Sequence, residues 1–323
     1  MDVLKDSDID PAPLAGKRVA ILGYGNQGRA QALNLRDGGT DVIVGLRGSS
    51  GSAREAEEAG LTVTLVGDAV AGADIVMLLA PDEIHSALYA EIEPHIRRGA
   101  ALGFSHGLSI RFEFVVPRPD LDIFMVAPKG PGTALRSLYE QDEGMIGLWA
   151  VAQDATGQAK DIALAYGRAI GCGRAGLIAS SFGEECEADL FNEQAVVWGA
   201  VPELLIAGFE TLVDGGVSPE VAYMECVGEL KLLAELIEAR GIAGMREAIS
   251  NTAELGAHLG GRRIVDAGVR QRMAEILSEV RAGKFADELR SEELSGYVRL
   301  ERARHDARAT LLEATYRKLS RAD

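Results

Sequence analysis

Four carboxylates fall into two pairs of identical spacing. Asp189 and Glu193 are four residues apart in EADLFNEQAVVWG (187–199), and Glu225 and Glu229 are four apart in MECVGELKLL (224–233). On a helix, residues four apart share a face. The first face runs on through Val196, Val197 and Ala200. The second lies among Val221, Ala222, Leu232, Leu233 and Leu236, away from the polar side marked by Glu220, Lys231, Glu235 and Glu238. Carboxylates on apolar faces are costly to bury unless a cation meets them. Oxygen donors with no histidine in the set favour a hard cation, Mg²⁺ before Zn²⁺. Acid pairs on facing helices are also how helical bundles build two-metal sites. One such pair is common on a solvated helix; two pairs, both on apolar faces, point to metal.

A second chemistry is written in the first half. GYGNQG places Gly23, Gly25 and Gly28 in the G-x-G-x-x-G pattern, after the apolar run RVAIL and before a helical pattern. That context makes it a dinucleotide site, with pyrophosphate at the helix N-terminus. The second strand ends in VGLRGSSGS, where no acid is present to accept from a ribose 2′-hydroxyl. Arg47, with Ser49, Ser50 and Ser52, instead offers a pocket for a 2′-phosphate, so NADP(H) is favoured. APDEIH places Asp82 to His85 after another strand, GFSHG places His106, and VAPKGPG places Lys129. In a doubly wound sheet these strand ends line one cleft.

The elements that must hold these groups change character near residue 181. Before it, RVAILGYG, DVIVGLR, LTVTL, DIVMLLAP, GAALGFS, LDIFMVAP and MIGLWAVA read as strands, separated by helical patterns. Alternation of this kind predicts an α/β Rossmann domain with a parallel, doubly wound sheet over residues 1–181. Residues 182–323 read as all-helical, with helices near 183–215, 218–240, 242–258, 266–281 and 296–320, and with Pro202 kinking or splitting the first. The net charge of -16 excludes nucleic acid and anionic membranes as favoured partners. Three cysteines in no metal-type spacing read as reduced thiols of a cytoplasmic protein. The acidic N-terminus has no apolar core for a signal peptide, and no run of 18 apolar residues predicts a membrane span.

GYGNQG, FSHG, VAPKGPG, DLFNEQ, ECVGELKL and ISNTAELG occur here in the order and spacing of ketol-acid reductoisomerases. The chain resembles the short form of that family over almost its whole length. The resemblance implies that Gly23, Tyr24, Gly25, Asn26, Gln27, Gly28, Arg47, Ser50, Ser52, Asp82, Glu83, Ile84, His85 and Gly132 bind NADPH. It implies catalytic roles for His106 and Lys129, and two Mg²⁺ held by Asp189, Glu193, Glu225 and Glu229, with Asp189 bridging. Ser250 is expected on the substrate carboxylate. The resemblance further implies a knotted helical domain and an intertwined homodimer. Its site combines Asp189 and Glu193 of one subunit with Glu225, Glu229 and Ser250 of the other. Asn192, Gly228, Leu255 and Thr133 depart from residues frequent in the family (Gly, His, Tyr and His); none of them is an expected ligand. The implied reaction is alkyl migration in 2-acetolactate or 2-aceto-2-hydroxybutyrate followed by reduction, a step of branched-chain amino-acid biosynthesis.

Overall fold

A computed structural model describes residues 2–48 and 50–320; Ser49, one of the hydroxyls expected at the 2′-phosphate, lies outside the described residues. The chain divides into two compact units, Met1–Cys186 and Glu187–Asp323.

The first unit is built on nine strands: β1 (Val3–Leu4), β2 (Arg18–Leu22), β3 (Asp41–Leu46), β4 (Thr62–Leu65), β5 (Ile75–Leu78), β6 (Ala101–Phe104), β7 (Asp122–Pro128), β8 (Gly147–Gln153) and β9 (Leu177–Ala179). Their order across the sheet is β1-β9-β8-β7-β6-β5-β2-β3-β4. From β4 to β7 all pairings are parallel. β5, β6 and β7 are buried at every residue, as strands covered on both faces must be. One core packs beneath the helices Asn26–Asp37 and Ala159–Ala169; the other lies under Val66–Ala71 and His85–Ile92.

The expected parallel, doubly wound sheet is present, with two antiparallel pairings on the side beyond β7. β8 runs antiparallel to β7, and β1 antiparallel to β9. The physical reason lies at the strand end, where the Lys129 N–H donates to the Ile146 carbonyl at 2.8 Å. The chain therefore returns beside the end of β7 and pairs back along it. At the far end the buried Asp122 accepts from the Thr156 backbone N–H at 2.9 Å and hydroxyl at 2.5 Å, which fixes the loop after β8.

The second unit is helical in all its regular elements among the described residues. Helix Phe182–Ala195 leads into it, and a break at residues 196–199 separates that helix from Ala200–Asp214. Pro202 is the third residue of the new helix, where its missing N–H costs nothing. Val196 and Val197 thus lie off the helix that carries Asp189 and Glu193, contrary to the expected continuous face. Taken together, Phe182–Asp214 is long and apolar enough by length and composition to cross a membrane. The break, and the five acids from Glu184 to Glu193, argue against a span. Further on, Ser250 and Thr310 cap new helices where longer ones were expected, each accepting an N–H from three residues ahead. A helix not anticipated from sequence covers Lys284–Leu294. Helix Pro219–Tyr223 packs on Leu311–Leu319, with Tyr223 beside Tyr316 and Lys318 paired to Glu220. By contrast, Leu230–Ala248 and Asn251–Ile264 bury no residue.

Candidate active site

The order of strands reverses between β2 and β5, and the glycine-rich turn sits at that switch point. Gly23 has φ 101°, which an L side chain rarely adopts. A Cβ on Gly28 would lie 2.2 Å from the Gly23 carbonyl, so the helix Asn26–Asp37 can begin this close only without one. Its N-terminal N–H groups open onto a cleft of about 640 Å³.

Gly23, Tyr24, Gly25, Asn26, Gln27, Arg47, Ser50, Ser52, Asp82, Ile84, His85 and His106 line this cleft. Gly28, Glu83, Gly132 and Lys129 do not line it. Gly132 lies against Asn26: the Thr133 N–H donates to Asn26 Oδ1 at 2.9 Å, and Gln27 Nε2 donates to the Gly130 carbonyl at 2.9 Å. The VAPKGPG loop is thereby docked on the glycine-rich turn. Arg47 is exposed, and no ion pair engages it among the described residues. The Ser50 N–H donates to the Arg47 carbonyl at 3.0 Å and Ser50 Oγ accepts from the Ser52 N–H at 3.3 Å, holding both hydroxyls at the end of β3.

His85 lines the cleft but is 3% exposed, and both of its ring nitrogens are engaged: Nδ1 with Ser109 Oγ at 2.7 Å, Nε2 with the Ala80 carbonyl at 2.9 Å. A carbonyl only accepts, so Nε2 carries the proton and Nδ1 accepts from Ser109. Burial pushes its pKa below the ordinary histidine value. His85 is a neutral wall of the cleft, and Ser109, its partner, went unnoticed in the sequence.

The larger omission is Glu185. Its side chain is 1% exposed, and it accepts from the Gly107 N–H at 2.7 Å, meets His106 Nδ1 at 3.0 Å and accepts from Lys129 Nζ at 3.2 Å. Burial alone would raise its pKa; the bonds and charges of His106 and Lys129, with the Gly107 N–H, overcome that and hold it below the usual carboxylate range. The two side chains expected to be catalytic are thus joined through one buried carboxylate. Its spacing was visible, because Glu185, Asp189 and Glu193 follow one another by four on one helix.

Asp189 is half-buried one turn beyond Glu185, and Glu193 is exposed one turn further. Glu225 and Glu229 belong to the second unit. Glu225 lies within a π-turn, Met224–Gly228, and Glu229 follows it directly. Both are exposed, as are Leu232 and Leu233 beside them, whereas Ala222 is buried and Leu236 half-buried, so the apolar face expected around these acids is covered only in part within the described chain. Ser250 is exposed, with its Oγ accepting from the Ala253 N–H at 3.2 Å. No disulfide joins Cys172, Cys186 or Cys226. Burial pushes the Cys172 thiol up to about 12, which leaves it inert.

A doubly wound sheet with this turn at its switch point, followed by a helical unit, defines a nicotinamide-dinucleotide oxidoreductase class. Comparison with known proteins narrows it. The family model described as acetohydroxy acid isomeroreductase, NADPH-binding domain, matches residues 13–176. The one described as ketol-acid reductoisomerase, C-terminal domain, matches residues 182–322. A solved NADH-preferring ketol-acid reductoisomerase from an uncultured archean is 40% identical, covers 99% of each chain and superposes with TM-score 0.97. A semialdehyde dehydrogenase NAD-binding protein from Cupriavidus necator is 20% identical, covering 82% of this chain and 99% of its own at TM-score 0.63. Pyrroline carboxylate reductase from Plasmodium falciparum is 13% identical, covering 83% and 98% at TM-score 0.54. These two share the fold alone. The chain belongs to the ketol-acid reductoisomerase family.

Proposed function

We propose that this protein converts 2-acetolactate, or 2-aceto-2-hydroxybutyrate, to the corresponding 2,3-dihydroxy acid, with NADPH as reductant and two Mg²⁺ as cofactors. The C2 hydroxyl loses its proton, and an alkyl group moves from C2 to the neighbouring carbonyl carbon. Hydride then reduces the new ketone. The observation that carries this reading is the buried Glu185, which ties His106 and Lys129 together beside the dinucleotide cleft and precedes Asp189 by one turn.

The donor set fits magnesium: Asp189, Glu193, Glu225 and Glu229 offer only carboxylate oxygens, the ligands a hard divalent ion takes. Bound there, the ions supply Lewis acidity to the hydroxyl and carbonyl oxygens. The chain's own groups do the rest. Glu185 accepts a hydrogen bond from the Nδ1–H of His106, which keeps the proton on that nitrogen and orients the ring towards the cleft that His106 lines. Lys129, held by the same carboxylate, is the group we assign to exchange a proton with the substrate oxygen. Gly23 and Gly28 admit the pyrophosphate, and Arg47, Ser50 and Ser52 meet the 2′-phosphate, which favours NADPH over NADH.

The active species is a homodimer with a knotted helical domain, sharing its site between subunits. Supporting this, Glu225, Glu229 and Ser250 are exposed, on or beside helices that bury nothing. Three cysteines with no disulfide between them suit the reducing cytoplasm, where we place it. Glu193→Gln tests the division of labour. It should abolish turnover with 2-acetolactate while leaving NADPH affinity, read by nucleotide fluorescence, within about threefold. Loss of NADPH binding in that variant would count against it.

A further inference from the structure

Helix Leu230–Ala248 carries Arg246 in its last turn, helix Asn251–Ile264 carries His258 and Arg262, and helix Ala267–Arg281 carries Arg270 near its start. These four side chains converge on a cleft of about 420 Å³, floored by Ala257, Gly261 and Val265. No carboxylate lines it. None of the three guanidiniums makes an ion pair or side-chain hydrogen bond among the described residues, nor does the imidazole. Elsewhere in the same unit arginines find acids: Arg281 meets Glu187 at 2.8 Å and Arg299 meets Glu292 at 2.6 Å. In a chain of net charge -16, a cleft that gathers three guanidiniums and no carboxylate is out of keeping with its surroundings. Helix dipoles account for part of it, since cations favour C-terminal turns, where Arg246 and Arg262 stand. They do not account for Arg270, which sits at the disfavoured end of its helix.

The apolar neighbours decide what fills the cleft. Ile242, Leu255, Leu259 and Ile264, on the first two of these helices, are all exposed. A small anion would satisfy the cations and leave these side chains in water. A second copy of this chain covers both kinds of surface at once and brings an excess of carboxylates. We infer that this cleft is a charge lock between two copies of the chain, entered by carboxylates of the partner as the apolar faces close. The inference rests on the homodimer proposed above and adds what selects and holds it.

Sedimentation velocity over a dilution series tests it, with wild type and Arg246→Gln/Arg262→Gln/Arg270→Gln compared at low and high NaCl. Close interfacial charge pairs contribute about tenfold or more each. The triple variant should therefore dissociate at least about a hundredfold more readily, and raising NaCl tenfold should weaken the wild-type dimer about tenfold but the variant hardly at all. A wild-type dimer whose affinity and salt dependence the triple variant leaves unchanged overturns the lock while the homodimer stands. A wild type that is monomeric throughout overturns the homodimer itself. Titration with inorganic phosphate gives the remaining arm: binding to the wild-type dimer, lost in the variant without change in assembly, makes the cleft a small-anion site and also overturns the lock. If circular dichroism shows the triple variant unfolded, Arg270→Gln alone and the wild-type salt dependence decide by the same criteria.

Discussion

Glu185→Gln keeps the side chain's size and removes its charge. In the wild type the carboxylate is 1% exposed and meets three groups: the Gly107 N–H at 2.7 Å, His106 Nδ1 at 3.0 Å and Lys129 Nζ at 3.2 Å. An amide oxygen can keep the Gly107 bond. That same oxygen also meets His106, whose bond loses its charge; the amide nitrogen then faces Lys129 Nζ, and a donor opposes a donor. Hydrogen bonds to charged groups are worth about 1.5–3 kcal/mol each, and a buried cation stripped of its partner loses more. With the Lys129 bond lost and the His106 bond weakened, the expected loss is about 2–4 kcal/mol, or about 10–10³ in kcat/KM. Steady-state NADPH oxidation with 2-acetolactate reads that loss. NADPH affinity should stay within about threefold, because Glu185 does not line the dinucleotide cleft. Stability supplies a second readout. The folded pKa of Glu185 is depressed, so its contribution is full above the unfolded value of about 4.3 and is lost as pH falls through the folded value. The Tm difference between wild type and Glu185→Gln should therefore be largest near neutrality and close below about pH 4. A kcat/KM within threefold of wild type, or NADPH affinity falling in step with turnover, would refute the reasoning.

Two further outcomes follow from the cleft. Arg47→Ala should raise KM for NADPH by about 10- to 100-fold and leave KM for NADH within about threefold, since a guanidinium–phosphate pair is worth a few kcal/mol; equal losses with both cofactors would remove Arg47 from 2′-phosphate recognition. His85 is held neutral by burial, so its contribution to stability is full above the unfolded value of about 6.5 and is lost as pH falls through its lower folded value. Thermal melting of the wild type should fall between about pH 7 and pH 5, and His85→Asn should flatten that part of the curve; parallel curves would show that His85 takes no part.

The sequence carried those features whose cause is local. Gly23 and Gly28 are required by a positive φ and by a close approach inside one turn, so six residues sufficed to place the cleft. Pro202 marked the division between Phe182–Ala195 and Ala200–Asp214 because proline is tolerated only in a first turn. Features set by distant residues stayed hidden. β8 reads like any other apolar strand, and its direction is decided by the pairing of Lys129 with Ile146 across the returning loop. Glu185 looked like one acid among several in EECEAD; its importance comes from His106 and Lys129, which reach it from 79 and 56 residues away. Glu225 and Glu229 keep their spacing of four, but a π-turn holds the first of them, and most of the apolar residues around them, Ala222 apart, are exposed or only half-buried. Pattern gave the face and could not say what packs on it.

The most direct test of the central claim is NADPH oxidation by the purified protein with 2-acetolactate, with Mg²⁺ and after exhaustive chelation. Oxidation coupled to formation of the 2,3-dihydroxy acid is expected with Mg²⁺ present, with its loss on chelation and its return when Mg²⁺ is restored. Turnover that survives chelation undiminished, or no oxidation of NADPH with this substrate while Mg²⁺ is present, would contradict it.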